Sequence, residues 1–287
     1  YIASILNPFS QMDSMQSSVN AESASGSRFN MASLLNASPQ PIKRSNKISP
    51  VLEASSGIVV DTSSGKTLFE KDPNEKRQIA SITKLMTAVL ILEENSLNEL
   101  VTVSREAANI AGSKIWLYPG EKIAVQNLLY AILIHSGNDA AWALAEHNAC
   151  TVEAFVSKMN KKAQKLGMTN TSFQNPVGFD DSKNYSTAYD LSILSRYIFR
   201  KDFVRHAVVM KELSITSANG DITHKLETTN ELLDSYLNVK GLKTGHTEQA
   251  GLCLSAVSEN EYGNQILTII LNSPDRFKET KLLTDWV

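Results

Sequence analysis

A serine hydroxyl and a lysine amine stand three residues apart in Ser81-Ile82-Thr83-Lys84, directly before an apolar run with helical spacing. Side chains at positions i and i+3 lie on one face of a helix, so the amine can reach the hydroxyl. A serine hydroxyl becomes a useful nucleophile when a base takes its proton, and a buried lysine with a lowered pKa can be that base. The free N–H groups at a helix start can also stabilise an oxyanion. The spacing therefore predicts Ser81 as a nucleophile and Lys84 as its general base.

The same spacing occurs a second time, in Ser63-Ser64-Gly65-Lys66. This stretch is rich in turn-forming residues and lies between two strand patterns, so it predicts the turn of a β-hairpin. Only Ser81 opens an apolar helical pattern. An isolated pair of this spacing most often has no chemical role, so the assignment depends on further motifs.

A second polar motif, Ser136-Gly137-Asn138, follows the apolar run 128–134 and precedes a helical pattern that begins at Ala140. A short loop between two buried elements can hold a hydroxyl and an amide rigidly. The alternative role for these residue types is to cap the following helix.

A third motif, Lys243-Thr244-Gly245, occurs once in the chain and lies in a strand pattern that continues to His246. Lys243 offers a positive charge for a substrate carboxylate, and the same charge can lower the pKa of a neighbouring amine. Thr244 offers a hydroxyl, and Gly245 allows the backbone of a ligand to approach closely. The alternative is an edge strand with a solvated lysine.

The elements that must position these motifs predict an α+β fold. Strand patterns occur at 56–61, 67–71, 239–244, 251–257 and 265–271. Helical patterns begin near Ser81 and continue at 127–135, 140–148, 152–166, 187–200 and 275–287. We expect an antiparallel sheet formed from both chain ends and flanked by helices, with an inserted all-helical lobe and a cleft between the two lobes.

Composition and charge restrict the possible functions. The 287 residues are 42% apolar and 20% charged with a formal net charge of −2, a pattern that does not favour binding to nucleic acid. Residues 1–50 contain twelve serines and five asparagines but only six charges, which predicts an extended segment before a catalytic domain at 51–287. No stretch reaches the roughly 20 apolar residues of a membrane helix, so a membrane tether is not visible in this chain.

The potential metal ligands show no metal-binding spacing. Cys150 and Cys253 are far apart with no CxxC pattern, and the five histidines show no HxxxH or HExxH pattern. Cys253 lies in an apolar run and is predicted to be a small buried side chain. We therefore expect neither a metal nor an organic cofactor.

In order and context, the three motifs resemble those of the low-molecular-mass penicillin-binding proteins, the serine D-Ala-D-Ala carboxypeptidases, which carry SxxK, SxN and KTG in this order. The likeness extends to the flanking residues, to Asn175-Pro176-Val177-Gly178-Phe179 and to the stretch 186–191. It covers about residues 55–287 and implies a β-lactamase/DD-peptidase-like fold.

The resemblance implies roles for the residues around the reacting bond. Ser81 would attack the carbonyl of the penultimate D-alanine, with Lys84 as the general base. Ser136 would relay a proton to the leaving D-alanine, and Asn138 would hold both the substrate amide and Lys84.

It also implies how the substrate would be bound from the strand that carries the third motif. Lys243 and Thr244 would face the terminal carboxylate, and Gly245 would let the substrate approach. Backbone N–H groups of Ser81 and His246 would form the oxyanion hole.

The implied substrate is a peptidoglycan stem peptide ending in D-Ala-D-Ala, and β-lactam antibiotics would be covalent inhibitors. Such an enzyme acts outside the cytoplasm, in the periplasm or cell wall, and membrane association would need a segment that this chain does not show.

The chain departs from the family pattern in two places. The family tends to carry an arginine immediately before the position of Asn230, where this chain has Thr229. Arg276 is a candidate to replace that positive charge. Many members also continue into an all-β domain and a C-terminal amphipathic anchor, whereas this sequence ends at Val287.

Three alternative functions remain at this stage: a DD-endopeptidase acting on cross-links, a class A β-lactamase, and a non-catalytic wall-binding protein. A class A β-lactamase has an essential glutamate after the second motif. The ExxLN pattern at Glu94 precedes Ser136 instead, so it is interpreted as the polar end of a helix.

Overall fold

The computed structural model describes Pro41 and residues 48–287. The extended segment predicted at 1–50 therefore lies almost entirely outside the described residues.

A five-stranded antiparallel sheet joins the two ends of the described chain, as predicted. Its strands are β1 (Ser56–Asp61), β2 (Thr67–Lys71), β7 (Val239–Thr247), β8 (Gly251–Glu259) and β9 (Gln265–Ser273). They lie in the order β2-β1-β9-β8-β7. The pairing of β1 with β9 brings the first predicted strand beside the last one.

Helices fill the chain between β2 and β7 and form the second lobe. They are α1 (Lys84–Glu94), α2 (Arg105–Asn109), α3 (Val125–Tyr130), α4 (Asn138–Ala149), α5 (Val152–Leu166), α6 (Ala188–Phe199) and α7 (Asp202–Ala207). A last helix, α8 (Arg276–Trp286), packs on the sheet. Every residue of α1 from Lys84 to Ile91 is buried, because this helix runs through the centre of the molecule.

Two small hairpins interrupt the lobe that the sequence patterns predict to be all-helical. One pairs β3 (Leu100–Thr102) with β4 (Lys122–Ala124), and the other pairs β5 (Glu212–Thr216) with β6 (Thr223–Glu227). The second turns through Asn219-Gly220, a dipeptide that favours hairpin turns. In β6, the buried His224 and Leu226 alternate with exposed polar residues, and this two-residue period in the sequence was overlooked when the central block was interpreted as helical.

The main apolar core lies between the sheet and the helical lobe and includes Ile58, Leu85, Leu144 and Leu267. A smaller cluster, with Val59, Ile270 and Leu283, fills the space between the other face of the sheet and α8. Cys253 is fully buried, as predicted. The sheet therefore has both faces covered, and the edge strand β7 lies beside the start of α1.

Candidate active site

Ser81 lies in a short 3-10 turn, Ala80–Thr83, that leads directly into α1. The predicted helix start is thus close to correct, but the first turn is tighter than an α-helix. The turn packs against β7 at Gly245, where a Cβ atom would lie 3.0 Å from the Ile79 carbonyl oxygen and 3.1 Å from the Ser81 nitrogen. The glycine therefore allows the strand to approach the backbone N–H of Ser81.

Lys84 is fully buried, and its amine has three neighbours. Nζ lies 2.7 Å from Ser81 Oγ, 2.7 Å from Asn138 Oδ1 and 2.9 Å from the Val177 carbonyl oxygen. The last two atoms can only accept hydrogen bonds, so they take both N–H bonds of a neutral amine. The remaining lone pair is then directed at the Ser81 hydroxyl, which is the geometry of a general base.

Burial lowers the pKa of Lys84 well below the ordinary lysine value of 10.5, and the positive charge of Lys243 lowers it further, while Asp139 opposes the shift. Burial and the charge of Arg276 also lower the pKa of Lys243, to about 7. Burial and the charge of Lys243 thus favour the neutral form of the amine beside Ser81.

Ser136 and Asn138 lie where the helical lobe meets Lys84. A short π-helix, Ala131–His135, precedes Ser136, which is buried and has a left-handed φ of 66°. Asn138 begins α4, and its Nδ2 donates to the Ala111 carbonyl oxygen at 2.7 Å. A Cβ atom at Gly112 would lie 2.5 Å from that nitrogen. The amide is therefore fixed on one side by the 111–112 backbone and on the other by Lys84.

The third motif lies on β7, on the opposite side of Ser81. The Lys243 amine is buried and donates to the Thr244 carbonyl oxygen at 3.0 Å, which rules out the alternative of a solvated lysine. The hydroxyls of Thr244 and Thr229 are 2.5 Å apart. The side chain of His246 is exposed, so only its backbone is held in the sheet, paired with Leu252.

Arg276 lies behind the same strand. Its Nη1 donates to the Gly245 carbonyl oxygen at 2.7 Å, and its Nε is buried without a hydrogen-bond partner among the described residues. After burial, its positive charge is the second cause that lowers the pKa of Lys243. Arg276 therefore brings a positive charge to the third motif from the first turn of α8 and stays a candidate for the charge that the family pattern places before Asn230.

Two contributors were not assigned a role from the sequence. Asn175 Oδ1 accepts from the backbone N–H groups of Gly178 and Phe179, and this turn places the Val177 carbonyl on Lys84. Gly178 has φ of 90°, and a Cβ atom there would lie 1.9 Å from the Ala80 carbonyl oxygen. The Asn-Pro and Gly residues signalled a turn but not its contact with the lysine.

Asp139 is the other contributor. It is fully buried, and its carboxylate accepts from the backbone N–H groups of Ile115, Leu117 and Ala140. It thereby attaches the loop between α2 and β4 to the start of α4, next to Asn138. The sequence placed Asp139 in the motif region but gave no sign of this connection.

In Pro41 and residues 48–287, no group of three or more His, Cys, Asp or Glu side chains could hold a metal ion. No helix in the same residues is both long enough and apolar enough to span a bilayer.

Comparison with known proteins agrees with this geometry. A family model described as D-alanyl-D-alanine carboxypeptidase matches residues 43–275. Curated relatives include D-alanyl-D-alanine carboxypeptidase DacF of Bacillus subtilis, 40% identical over 71% of this chain and 54% of the relative. DacC of Escherichia coli is 34% identical over 83% of this chain and 62% of the relative. The chain therefore spans between half and two thirds of the length of these relatives.

Solved structures give the same fold. The Streptomyces K15 DD-transpeptidase superposes with a TM-score of 0.75 and 31% identity, covering 80% of this chain and 93% of that one. Penicillin binding protein 6B from Escherichia coli superposes with a TM-score of 0.77 and 31% identity, covering 86% of this chain and 81% of that one.

Proposed function

The chain belongs to the D-alanyl-D-alanine carboxypeptidase family of serine peptidases, and on that basis we propose that it removes the terminal D-alanine from peptidoglycan stem peptides through an acyl-enzyme on Ser81. The observation that carries this proposal is the position of Lys84. Its amine is buried, lies 2.7 Å from the Ser81 hydroxyl, and has its N–H bonds taken by Asn138 and Val177.

Acylation begins when Lys84 takes the proton of Ser81 as its Oγ attacks the carbonyl of the penultimate D-alanine. A C–O bond forms, and the oxyanion faces the backbone N–H groups of Ser81 and His246. The C–N bond then breaks as the proton held by Lys84 is relayed through Ser136 to the amine of the leaving D-alanine. Water then attacks the ester and gives a proton to Lys84, and Lys84 returns a proton to Ser81 as the C–O bond to the enzyme breaks.

Substrate binding rests on β7 and on Asn138. The terminal carboxylate faces Lys243 and Thr244, and a carboxylate at this point favours the charged form of Lys243. Arg276 adds positive charge behind the strand. Gly245 lets β7 pack directly against the backbone of the Ser81 turn rather than leaving open space there, and the Asn138 amide binds the peptide on the other side.

The same acylation chemistry makes β-lactams covalent inhibitors, because they present a reactive carbonyl and a carboxylate to the same groups. A substrate in the cell wall places the enzyme outside the cytoplasm, in the periplasm or wall.

The β-lactamase alternative is not supported by the position of its candidate glutamate. Glu94 lies at the end of α1, and its carboxylate pairs with Lys158 at 2.7 Å. A surface ion pair does not activate a water beside an acyl-enzyme on Ser81. Cleavage of cross-links uses the same residues as carboxypeptidase action and differs only in the leaving group.

The test is the intact mass of the protein after incubation with a penicillin, with Ser81→Ala as the variant and Ser63→Ala as the matched control. We expect a stable adduct of one drug molecule on the wild type and on Ser63→Ala, and none on Ser81→Ala. Release of D-alanine from a peptide ending in D-Ala-D-Ala should show the same pattern. An adduct on Ser81→Ala would overturn the proposal, and rapid drug turnover without an adduct would favour a β-lactamase.

A further inference from the structure

A cavity of about 330 Å³ lies on the sheet away from the candidate active site. Val257 of β8 and its partner Leu267 of β9 line one side of it. The candidate site lies nearer the start of β8, where Cys253 pairs with Gly245, about 13 Å along the strand from Val257. No step proposed above uses this cavity. We call it the arginine pocket, because three arginines line it: Arg196, Arg200 and Arg205.

Arg196 of α6 is held in the wall of the arginine pocket by the β1–β2 turn. Its Nε donates to the Thr62 carbonyl oxygen at 3.0 Å, and its Nη2 donates to the Ser63 carbonyl oxygen at 3.3 Å. Gly65 of the turn has a φ of 76°, and a Cβ atom there would lie 2.3 Å from Arg196 Nη1. A glycine is therefore needed for the turn to approach the guanidinium. The positive charge of this wall is in place before a ligand enters, which lowers the entropic cost of binding.

The other two arginines come from the end of α6 and from α7. Arg200 follows the last residue of α6, and its side chain is exposed. Arg205 Nη1 donates to the Arg200 carbonyl oxygen at 3.2 Å, and its Nη2 pairs with Asp202. Of the three arginines, only Arg205 forms an ion pair within the part of the chain that the structure describes. Arg200 therefore keeps its fork of N–H donors for a ligand.

Positive charges lie close together in the arginine pocket. Burial lowers the pKa of Arg196, and the charge of Arg200 lowers it further, while Asp61 opposes the shift. The carboxylate of Asp61 is already bound by the hydroxyl groups of Ser63 and Ser64. No acidic side chain is among the described residues that line the pocket. An anion bound there would relieve the repulsion between the guanidinium groups.

The size and lining of the arginine pocket indicate a phosphate ester as the ligand. A guanidinium fork binds two oxygens of a phosphate at once, and a phosphate has enough oxygens for more than one fork. The volume of about 330 Å³ equals that of roughly ten water molecules at about 30 Å³ each, so a phosphate ion alone would fill only part of it. The remaining space is lined by apolar side chains, which suit an organic group: Phe199, Val257 and Leu267.

We propose that the arginine pocket binds a soluble phosphate ester, with the phosphate held by Arg200 and Arg205 and the organic part lying against Val257 and Leu267. The charge of Arg196 stabilises the phosphate from the wall. This inference goes beyond the proposed function and does not depend on it, because the pocket shares no residue with the site around Ser81. A phospholipid surface carries the same phosphate chemistry, but the apolar side chains of the pocket are buried and cannot insert into a bilayer.

The test is calorimetric titration of the whole protein at low salt with glycerol 3-phosphate, inorganic phosphate and glycerol. We expect one molecule of glycerol 3-phosphate to bind per protein, more tightly than inorganic phosphate, and glycerol not to bind. Replacing both exposed arginines, Arg200→Gln with Arg205→Gln, should weaken binding about tenfold or more, because charge-assisted hydrogen bonds are lost. Arg200→Lys should weaken binding less than Arg200→Gln, since it keeps the charge and loses only the fork.

Two further probes distinguish the sources of the phosphate group. Glycerophosphoglycerol is a soluble phosphodiester, and tighter binding of this probe than of glycerol 3-phosphate would identify a phosphodiester chain as the ligand. Vesicles of phosphatidylglycerol present the same group on a membrane. Binding to the vesicles without binding to either soluble ester would overturn the inference, and so would inorganic phosphate binding as tightly as the esters.

The matched control is Arg105→Gln, which removes an exposed arginine of α2 outside the pocket. Its affinity for glycerol 3-phosphate should equal that of the wild type, and an equal affinity in the double variant at Arg200 and Arg205 would contradict the inference. Each variant is also incubated with penicillin, because an adduct shows that the fold is retained. Absence of an adduct on the wild type would refute the function proposed for Ser81 and leave the phosphate site standing.

Discussion

The chain contains the pattern Ser-x-x-Lys twice, and the two copies have different surroundings. Ser81 and Lys84 lie under the edge of the sheet at the centre of the molecule, with the amine buried and 2.7 Å from the hydroxyl. Ser63 and Lys66 lie in the turn between β1 and β2, and both are exposed. There the serine donates to Asp61, and the lysine donates to the Pro41 carbonyl oxygen.

This difference shows that the Ser-x-x-Lys spacing only brings an amine near a hydroxyl and does not make either group reactive. In the turn, both side chains can exchange their partners for water, so no force holds the amine neutral or aims it at the hydroxyl. At Ser81, burial disfavours the ammonium form, and two fixed acceptors orient the amine. The residues of α1, α4 and the 175–179 turn therefore give Ser81 the properties of a nucleophile and Lys84 those of a base, although the same four-residue pattern at Ser63 has neither property.

The largest expected difference between the two copies appears when the lysine of each is replaced by alanine. Lys84→Ala should lower the rate of penicillin acylation by about 10³-fold, the range of a lost general base. Lys66→Ala should change it less than twofold. Lys84→Arg should fail like Lys84→Ala, because a guanidinium does not give up its proton. The measurement is the second-order rate of adduct formation, and a comparable loss in Lys66→Ala would contradict the distinction between the two copies.

The next effect comes from Asn138, the side chain that orients the amine of Lys84. Asn138→Ala removes one of the two acceptors that orient Lys84 and also the bond to Ala111, so acylation should slow by about 10- to 100-fold. Circular dichroism and the melting temperature establish whether the fold is retained. If acylation is unchanged, Asn138 does not orient the amine and the interpretation of the site is wrong at this residue.

The pH dependence of acylation and of KM distinguishes the lowered pKa of Lys84 from that of Lys243. Because Lys84 acts as a base, acylation should rise as the pH passes upward through its lowered pKa and level off below 10.5. Because Lys243 binds a carboxylate as a cation, KM should increase as the pH rises through about 7. Arg276→Gln should raise the pKa of Lys243 and move that increase in KM upward by about one pH unit or less.

The matched variant for this comparison is Arg196→Gln. Arg196 donates to the carbonyl oxygens of Thr62 and Ser63 and so supports the turn rather than the site. Its pH profile should match that of the wild type. A shift of equal size in both variants would mean that the effect is one of overall charge.

The smallest effect concerns stability alone. Asp61 accepts from Ser63 Oγ and from the N–H and hydroxyl of Ser64, and these bonds close the turn. Asp61→Ala should lower the free energy of unfolding by about 1 kcal/mol without changing acylation. Urea unfolding measures the first quantity and adduct formation the second. A loss of acylation would show that the turn influences the site after all.

Much of the fold was visible in the sequence because its patterns are strong. The strands at 56–61, 239–247 and 265–273 and the helix 152–166 follow clear periods and were found with nearly correct bounds. The β5–β6 hairpin was missed, because its short strands lie in a region dominated by helical patterns. Short strands depend on the neighbouring surface that they cover rather than on their own sequence.

The residue types of the candidate site were predictable from the sequence, but the groups that hold these residues in place and change their pKa values were not. Ser81, Lys84, Asn138 and Lys243 could be chosen from their motifs. The Val177 carbonyl could not, since a backbone oxygen has no signature in the sequence. The electrostatic effect of Arg276 on Lys243 was equally hidden, because it joins residues on α8 and β7 that meet only after folding.

The sequence by itself determined the strands of the main sheet, the longer helices and the three motifs that carry reactive groups, because periodicity and short-range spacing are local properties. Only the tertiary structure decided that Lys84 is buried between Asn138 and Val177. It also decided that the charge of Arg276 lowers the pKa of Lys243. In the second copy of the pattern, it left the side chains of Ser63 and Lys66 exposed to solvent. A pKa depends on the water excluded around a group and on charges brought within a few ångströms of it. Those quantities are fixed only when distant parts of the chain pack together.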